Sequence, residues 1–138
     1  VFLLLNNRTI NIEKIEIIMD GRVLLIDMEK NGCKIRIINV YGSTDMQERV
    51  LLLQTLQYYI CNGRHVIIGG DFNCNLEKRI GNTSACLTNR VDLSSQALNN
   101  LIKDCKLTDV YRSLHSEDQK LYLLWPFLHQ LSRCPIEQ

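Results

Sequence analysis

Asp71 and Asn73 are the residues best suited to chemistry, and they lie in the stretch NGRHVIIGGDFNCN that starts at residue 62. A carboxylate can accept a proton or hold a metal ion, and a carboxamide can orient a water molecule or a phosphate oxygen. Alternation along an extended chain points both side chains to one side and Phe72 to the other. Asp and Asn also favour turns for local reasons, so on spacing alone an Asx-rich turn after a core strand is an equal alternative.

The element that must position these residues is a buried strand predicted over residues 65–69, which ends at Gly69 and Gly70. The two glycines predict either a sharp turn or a close approach of the backbone to a ligand. Polar side chains at the carboxyl end of an apolar strand are typical of the sites of α/β proteins. This pattern therefore predicts an α/β protein with a polar site at one strand end.

Alternating apolar residues predict further strands upstream, over residues 1–5, 10–18, 22–29 and 34–41. Asn31 and Gly32 tolerate positive φ and predict a hairpin connection between the last two. Four consecutive strands joined in this way indicate an antiparallel meander.

The apolar spacing then changes to that of helices, over residues 46–61 and 94–105. Asp45 and Glu48 have the spacing of a capping box before the first helix, and Gly63 is a suitable stop after it. Residues 74–93 show no periodicity and predict a long loop, which is usually functional or disordered. Residues 107–114 predict a short strand or turn.

Composition limits the class of protein. The 138 residues suffice for one domain or part of one, and 46% apolar with 22% charged residues is typical of a soluble globular protein. A net charge of +1 gives no global argument for nucleic acid or membrane, and no apolar run approaches the length of a membrane span. The apolar residues 1–5 are too short for a signal peptide, and a chain that starts with Val suggests a missing upstream part.

The six cysteines show neither CxxC pairs nor zinc-ligand spacing. We interpret them as reduced thiols of an intracellular protein, mostly buried, with a disulfide framework as a minor alternative. Cys74 is the exception, because it adjoins Asn73 and could be exposed at the site.

Three motifs in this order and spacing resemble a known family: NVYG at residues 39–42, VIIGGDFN at residues 66–73 and LTDVYRSLH at residues 107–115. They resemble the endonuclease/exonuclease/phosphatase superfamily, and within it the apurinic-type endonuclease domain of LINE-type (non-LTR) retrotransposons. The resemblance implies an α/β four-layer sandwich, with two mixed or antiparallel sheets packed face to face and helices outside. It also implies a hydrolase that uses a divalent ion, usually Mg²⁺, to cleave phosphodiester bonds and nick target DNA for retrotransposition.

The resemblance assigns catalytic roles to three residues of this chain. Asp71 resembles the carboxylate that activates or positions the attacking water, and Asn73 resembles the amide that holds that water and a phosphate oxygen. Tyr41 resembles the tyrosine that donates a hydrogen bond to the scissile phosphate. The alternatives for these residues are turn formers at 71 and 73 and a solvent-facing strand-end aromatic at 41.

The chain also departs from the family pattern. The family's Asn and its metal-binding Glu have no counterpart here, so the metal ligands are unknown and are expected upstream of the chain. Leu123 stands where Thr is expected, Cys134 and Pro135 follow Ser132-Arg133 in place of Ile-Asp, and the closing Asp-His pair is absent. We therefore expect residues 1–138 to be a partial, incomplete domain with a divergent tail over 116–138, and we expect this chain itself to be inactive.

The main alternative is a non-catalytic retrotransposon remnant that binds nucleic acid weakly through Lys78, Arg79 and Arg90, which could otherwise be a solvated loop. A third option is a superfamily branch that acts on small phosphoesters, against which the LTDVYRSLH motif argues. By resemblance the partners are DNA and, in a parent polyprotein, a reverse transcriptase domain. The expected location is intracellular, in the nucleus, with no membrane partner.

Overall fold

The computed structural model describes residues 10–74, 92–114 and 128–130. These residues contain nine elements, in the order β1 (Asn11–Met19), β2 (Val23–Lys30), β3 (Cys33–Tyr41), α1 (Met46–Ile60), β4 (His65–Asp71), α2 (Leu93–Asp104), β5 (Thr108–Asp109), α3 (Val110–Leu114) and β6 (Leu128–Gln130). The strands form one six-stranded sheet in the order β1-β2-β3-β4-β6-β5. The predicted α/β class is thus confirmed.

The first half of the sheet is the predicted antiparallel meander. β1 pairs with β2 and β2 with β3, both antiparallel. The β2–β3 hairpin turns at Asn31 and Gly32, whose φ angles of 52° and 79° are those the sequence predicted them to tolerate. The strand predicted over residues 1–5 lies outside the described residues.

A parallel crossover then carries the chain from β3 through α1 to β4. The Asp45 carboxylate caps α1, because its Oδ1 accepts hydrogen bonds from the backbone N–H groups of Gln47 and Glu48, both at 2.9 Å. The predicted reciprocal half of the capping box is replaced. Ser43 Oγ accepts from the Asp45 N–H at 3.1 Å and donates to Glu48 Oε2 at 2.6 Å. The Ser43 hydroxyl thus bridges the Asp45 N–H and the Glu48 carboxylate, which would contact each other directly in a capping box.

The core lies between the sheet and the helices α1 and α2, which cover one sheet face. Its fully buried members come from β2, β3, α1, β4 and α2, and they include Leu25, Ile38, Leu56, Ile68 and Leu98. Alternation along β3 and β4 therefore leaves the residues between them on the opposite face.

That opposite face is apolar at β1. Ile15 and Ile17 of β1 pair with Ile26 and Leu24 of β2, and they are 62% and 65% exposed. Apolar residues on a second face are what a two-sheet sandwich requires. Within the described ranges one sheet is formed, so the second sheet stays a prediction.

Two expectations are corrected by the structure, and the predicted tail contains an additional strand. Residues 107–114 form the two-residue strand β5 followed directly by α3, rather than a strand or turn alone. Within the tail predicted as divergent, β6 inserts between β4 and β5. Non-local pairing supplies the partners of these short strands, which no local pattern reveals.

Among the cysteines of the described residues, Cys105 is buried whereas Cys33 and Cys61 are exposed, so the expectation of mostly buried thiols is wrong there.

No helix in the part of the chain described by the structure combines the length and the apolar character needed to cross a membrane.

A buried ion pair ties the meander to the end of α1. Arg36 donates from Nε and Nη2 to the two carboxylate oxygens of Asp27 at 2.6 and 2.7 Å, and from Nη1 to the carbonyl oxygen of Tyr59 at 2.7 Å. The Asp27 side chain is 4% exposed and that of Arg36 12%. Hydrogen bonding by Arg36 holds the pKa of the Asp27 carboxyl below its ordinary value, although burial alone would raise it.

We expect Asp27→Asn to lower the free energy of unfolding by about 3 kcal/mol or more at neutral pH, because it leaves the Arg36 guanidinium buried without its charged partner. The ionised carboxylate stabilises the fold above about pH 4, and this contribution is lost as the pH falls through the lowered pKa. Urea denaturation at pH 7 and at pH 3 measures both effects. The difference between the two proteins should shrink at pH 3, and a difference that is constant with pH would contradict the assignment.

Gly70 lies within β4 at its contact with β3, so the expectation of a sharp turn at this glycine is wrong. Its φ is 135°, and a Cβ placed on it would overlap the backbone of Val40, within 2.8 Å of the carbonyl carbon. The close approach is therefore between two strands.

Gly70→Ala should destabilise the protein by about 3 kcal/mol or more, since it adds a backbone collision to an unfavourable φ. Gly32→Ala is the matched control, because Gly32 also has positive φ but has open space around its Cβ position. We expect the control to cost about 1–2 kcal/mol. Equal losses in urea denaturation would show that φ alone matters at Gly70.

Candidate functional site

The candidate site lies where β3 and β4 end side by side. Tyr41 and Asp71 are the last residues of the two strands, and the parallel register makes them direct neighbours. Val40 and Phe72 are buried in the core, so alternation turns Tyr41 and Asp71 to the other face of the sheet. The structure thus brings a phenol and a carboxylate together at the carboxyl ends of β3 and β4, which we call the β3–β4 edge.

Asn73 joins this pair through a turn. Its backbone has a φ of 50°, a conformation that Asn tolerates better than most residues. Its N–H donates to Asp71 Oδ1 at 3.0 Å, and its Nδ2 donates to the carbonyl oxygen of Gly42 at 2.8 Å. The Asx turn that the sequence left as an alternative is therefore present, and the carboxamide is held at the Gly42 carbonyl oxygen.

The backbone of Gly42 connects the residues of the site by hydrogen bonds. Its N–H donates to the carbonyl oxygen of Asp71 at 2.6 Å, and its own carbonyl oxygen accepts from Asn73. A Cβ at residue 42 would overlap the backbone of Phe72. Only glycine therefore allows the chains after β3 and β4 to come this close.

Arg22 is a site residue that sequence reasoning missed. Its guanidinium lies 5.4 Å from the centre of the Tyr41 ring, and Nη1 donates to the Gly42 carbonyl oxygen at 3.4 Å. The backbone fixes this placement, because the Tyr41 N–H donates to the Arg22 carbonyl oxygen at 2.7 Å. In sequence Arg22 is merely the residue after a turn glycine, and only the pairing of β2 with β3 brings it to the tyrosine. It contributes a positive charge at the edge of the site.

A second arginine supports the loop after Gly42. Arg49 Nη1 donates to the carbonyl oxygens of Ser43 and Thr44 at 3.0 and 2.7 Å, and Nε donates to Ser94 Oγ at 3.0 Å. Ser94 is in turn held by Asp92, the N-cap of α2. The loop that follows Tyr41 is thereby connected to the start of α2.

Cys74 is half-buried beside this connection rather than openly exposed at the site. Burial, and after it the charge of Asp92, raises the pKa of its thiol to about 11. Both effects oppose ionisation, so the thiol is protonated at neutral pH.

The predicted DNA contacts cannot be placed on this site, and the predicted metal site is described only in part. Lys78, Arg79 and Arg90 lie outside the described residues. Within residues 10–74, 92–114 and 128–130, no cluster of three or more His, Cys, Asp or Glu side chains could hold a metal ion. Mg²⁺ is often bound by one or two carboxylates together with substrate phosphates and water, so Asp71 can supply one ligand but not a complete set.

Comparison with solved structures identifies the class of fold. The chain is similar to D. rerio TDP2 humanised by 14 mutations, with a TM-score of 0.54 and 14% identity over 88% of this chain and 49% of the other. It is also similar to C. elegans TDP2, with a TM-score of 0.50 and 12% identity over 88% of this chain and 40% of the other. At these identities the likeness shows the fold alone, that of the TDP2 structures.

Sequence comparison narrows this class. The chain is 32% identical over 103 residues to the Transposon TX1 uncharacterized 149 kDa protein of Xenopus laevis. The aligned region covers 72% of this chain and 8% of that protein. No family model matches the chain. The chain thus belongs to the endonuclease/exonuclease/phosphatase superfamily and is related to a retrotransposon protein, as the three motifs predicted. It spans a small part of its transposon relative and about half of the D. rerio structure.

Two substitutions at residue 73 separate backbone strain from the role of the carboxamide. Asn73→Ala should lower the free energy of unfolding by about 1–2 kcal/mol, because alanine disfavours positive φ and the hydrogen bond to Gly42 is lost. Asn73→Gly removes the same side chain but accepts the φ, so its loss should be smaller. Thermal denaturation of both variants tests this order, and a glycine variant less stable than the alanine variant would contradict it.

Proposed function

We propose that the edge formed by Tyr41, Asp71 and Asn73 is the phosphodiester site of a retrotransposon endonuclease that nicks DNA. The observation that carries the proposal is the parallel β3–β4 register, which makes Tyr41 and Asp71 neighbours on the sheet face away from the core. The relation to a transposon protein and the phosphodiesterase-type fold support the same reaction class.

Each side chain has a chemical role that fits its position. The Tyr41 side chain is 46% exposed, and its hydroxyl can donate to a phosphate oxygen. Asn73 Nδ2 has two N–H groups, so the bond to Gly42 fixes the carboxamide and leaves one donor for the phosphate or the attacking water. Asp71 accepts one backbone hydrogen bond, and its remaining lone pairs can take a proton from that water. The charge of Arg22 beside Tyr41 favours an anionic ligand.

Magnesium is part of the proposal. When bound, Mg²⁺ would stabilise the negative charge that develops on the phosphate. Asp71 is the residue of the described chain that would hold it. The tyrosine and asparagine act on the substrate and on water, and they need no contact with the ion.

Other contacts extend the proposal to the macromolecular partner. Lys78, Arg79 and Arg90 would contact DNA phosphates, and such contacts are salt-dependent and independent of base sequence. A nuclear location and a reverse transcriptase domain in the parent protein fit a DNA-nicking step in retrotransposition.

Substitutions in the parent protein that contains this chain test the site by plasmid nicking in Mg²⁺. We expect Asp71→Asn to slow nicking roughly 100-fold or more and Tyr41→Phe to slow it about 10–100-fold, as for loss of a general base and of one hydrogen-bond donor. Asp104→Asn and Tyr58→Phe are matched controls, because both residues are exposed on helices and should leave the rate unchanged. Nicking that survives Asp71→Asn and Asn73→Gly would remove these residues from the mechanism.

A second candidate function is DNA binding without cleavage by this chain. It is favoured because Cys134 and Pro135 stand where the family resemblance expects Ile-Asp, so part of the family pattern is altered in this sequence. The same plasmid assay with the 138-residue chain, together with fluorescence anisotropy of a labelled duplex over a salt series, separates the two functions. Binding that weakens with salt but gives no nicking supports the second, whereas absence of binding at low salt excludes both for the isolated chain.

A further inference from the structure

Two free cysteines lie close together at the C-terminal ends of α1 and α2. Cys61 follows the last residue of α1 and Cys105 follows the last residue of α2, and their Sγ atoms are 3.8 Å apart. The two residues are 44 positions apart in sequence, so only the packing of α1 against α2 brings them together. Neither residue is part of the Tyr41–Asp71–Asn73 site.

The two thiols differ in their access to solvent. Cys61 is exposed, whereas Cys105 is 1% exposed within the hydrophobic core. Burial, and after it hydrogen bonding with Cys61, raises the pKa of the Cys105 thiol to about 12. An oxidant from solvent therefore reaches Cys61, and Cys105 is placed to react with the product.

The turn after α1 holds Cys61 in this place. Asn62 Nδ2 donates to the carbonyl oxygen of Tyr59 at 2.9 Å, and Asn62 Oδ1 accepts from the N–H of Arg64 at 3.1 Å. The backbone of Cys105 is likewise fixed, because its N–H donates to the carbonyl oxygen of Leu101 at 3.0 Å. Both sulfur atoms are thus presented by ordered backbone.

We propose that Cys61 and Cys105 are a redox pair, which glutathione disulfide converts reversibly into a disulfide bond between the C-terminal ends of α1 and α2. The Cys61 thiolate attacks one sulfur of glutathione disulfide, the S–S bond of the oxidant breaks, and one glutathione thiol leaves. The Cys105 thiol then attacks Cys61 Sγ while its proton passes to the departing glutathione sulfur, the mixed disulfide breaks, and the second glutathione thiol leaves. Two electrons pass to glutathione, and the two protons of the protein thiols end on its two thiol groups.

The bond would restrain the two helices that cover the core. It closes a long loop in the unfolded chain, and such cross-links stabilise mainly by restricting the unfolded state. Oxidation would therefore raise the melting temperature without any change at the β3–β4 edge. The proposal is independent of the proposed function.

Thiol mapping tests the proposal directly. The chain is incubated with glutathione disulfide, quenched with acid, alkylated and digested, and the linked peptides are identified by mass spectrometry. We expect a cross-link between residues 61 and 105, its loss in Cys61→Ser, and its reversal by dithiothreitol. Cys33→Ser is the matched control, because Cys33 is an exposed thiol at the β2–β3 turn, and it should leave the cross-link intact.

The oxidised chain should also melt roughly 5–10 °C above the reduced chain, and this shift should be absent in Cys61→Ser. In Cys105→Ala, glutathione should remain on Cys61 as a mixed disulfide. Three results would overturn the proposal: a mixed disulfide that stays on Cys61 of the unsubstituted chain, a cross-link that persists in Cys61→Ser, or an oxidised form that melts no higher. Because Cys61 is exposed, Cys61→Ser is expected to fold even where Cys105→Ala does not.

Discussion

The close parallel pairing of β3 with β4 is the constraint on which the site depends. The two strands approach so closely at Val40 and Gly70 that a side chain at 70 cannot be accommodated. This approach sets the register that puts Tyr41 beside Asp71. It also brings Gly42 within hydrogen-bonding distance of the Asp71 carbonyl oxygen. Gly42 and Gly70 thus act by allowing two backbone segments to approach each other closely.

Around this contact the polar groups form one connected set. The Gly42 carbonyl oxygen accepts from both Asn73 and Arg22, so a single acceptor orients an amide and a guanidinium. Arg49 extends the connection from the loop after Gly42 to the start of α2. Two of the side chains proposed to meet a phosphate, Asp71 and Asn73, are therefore already held by hydrogen bonds within the protein. Such prior fixing lowers the ordering cost at the moment of binding.

The sheet that carries the site packs against helices on one face only, among the described residues. The helices α1 and α2 bury one sheet face, and the Asp27–Arg36 pair joins the meander to the end of α1. The Cys61 and Cys105 thiols meet at the same ends of the two helices. The other face carries the exposed isoleucines of β1, which suit the second sheet that the family resemblance predicts. Tyr41 and Asp71 lie at the end of this same face, so a second sheet would have to leave them accessible.

Local patterns determined much of this protein before any tertiary contact was known. The alternation of β1 to β4, the Asn-Gly hairpin, the Asp45 cap and the separation of Phe72 from Asp71 and Asn73 were all predicted, because each depends on residues near one another in the chain. The motifs likewise identified the superfamily, since their residue types and order are properties of the sequence. Only the tertiary structure decided the role of Gly70, the place of Arg22 over Tyr41, the strand β6 within the tail and the meeting of two cysteines. Each of these depends on contacts between distant segments, whose register is set by strand pairing and helix packing rather than by any local preference.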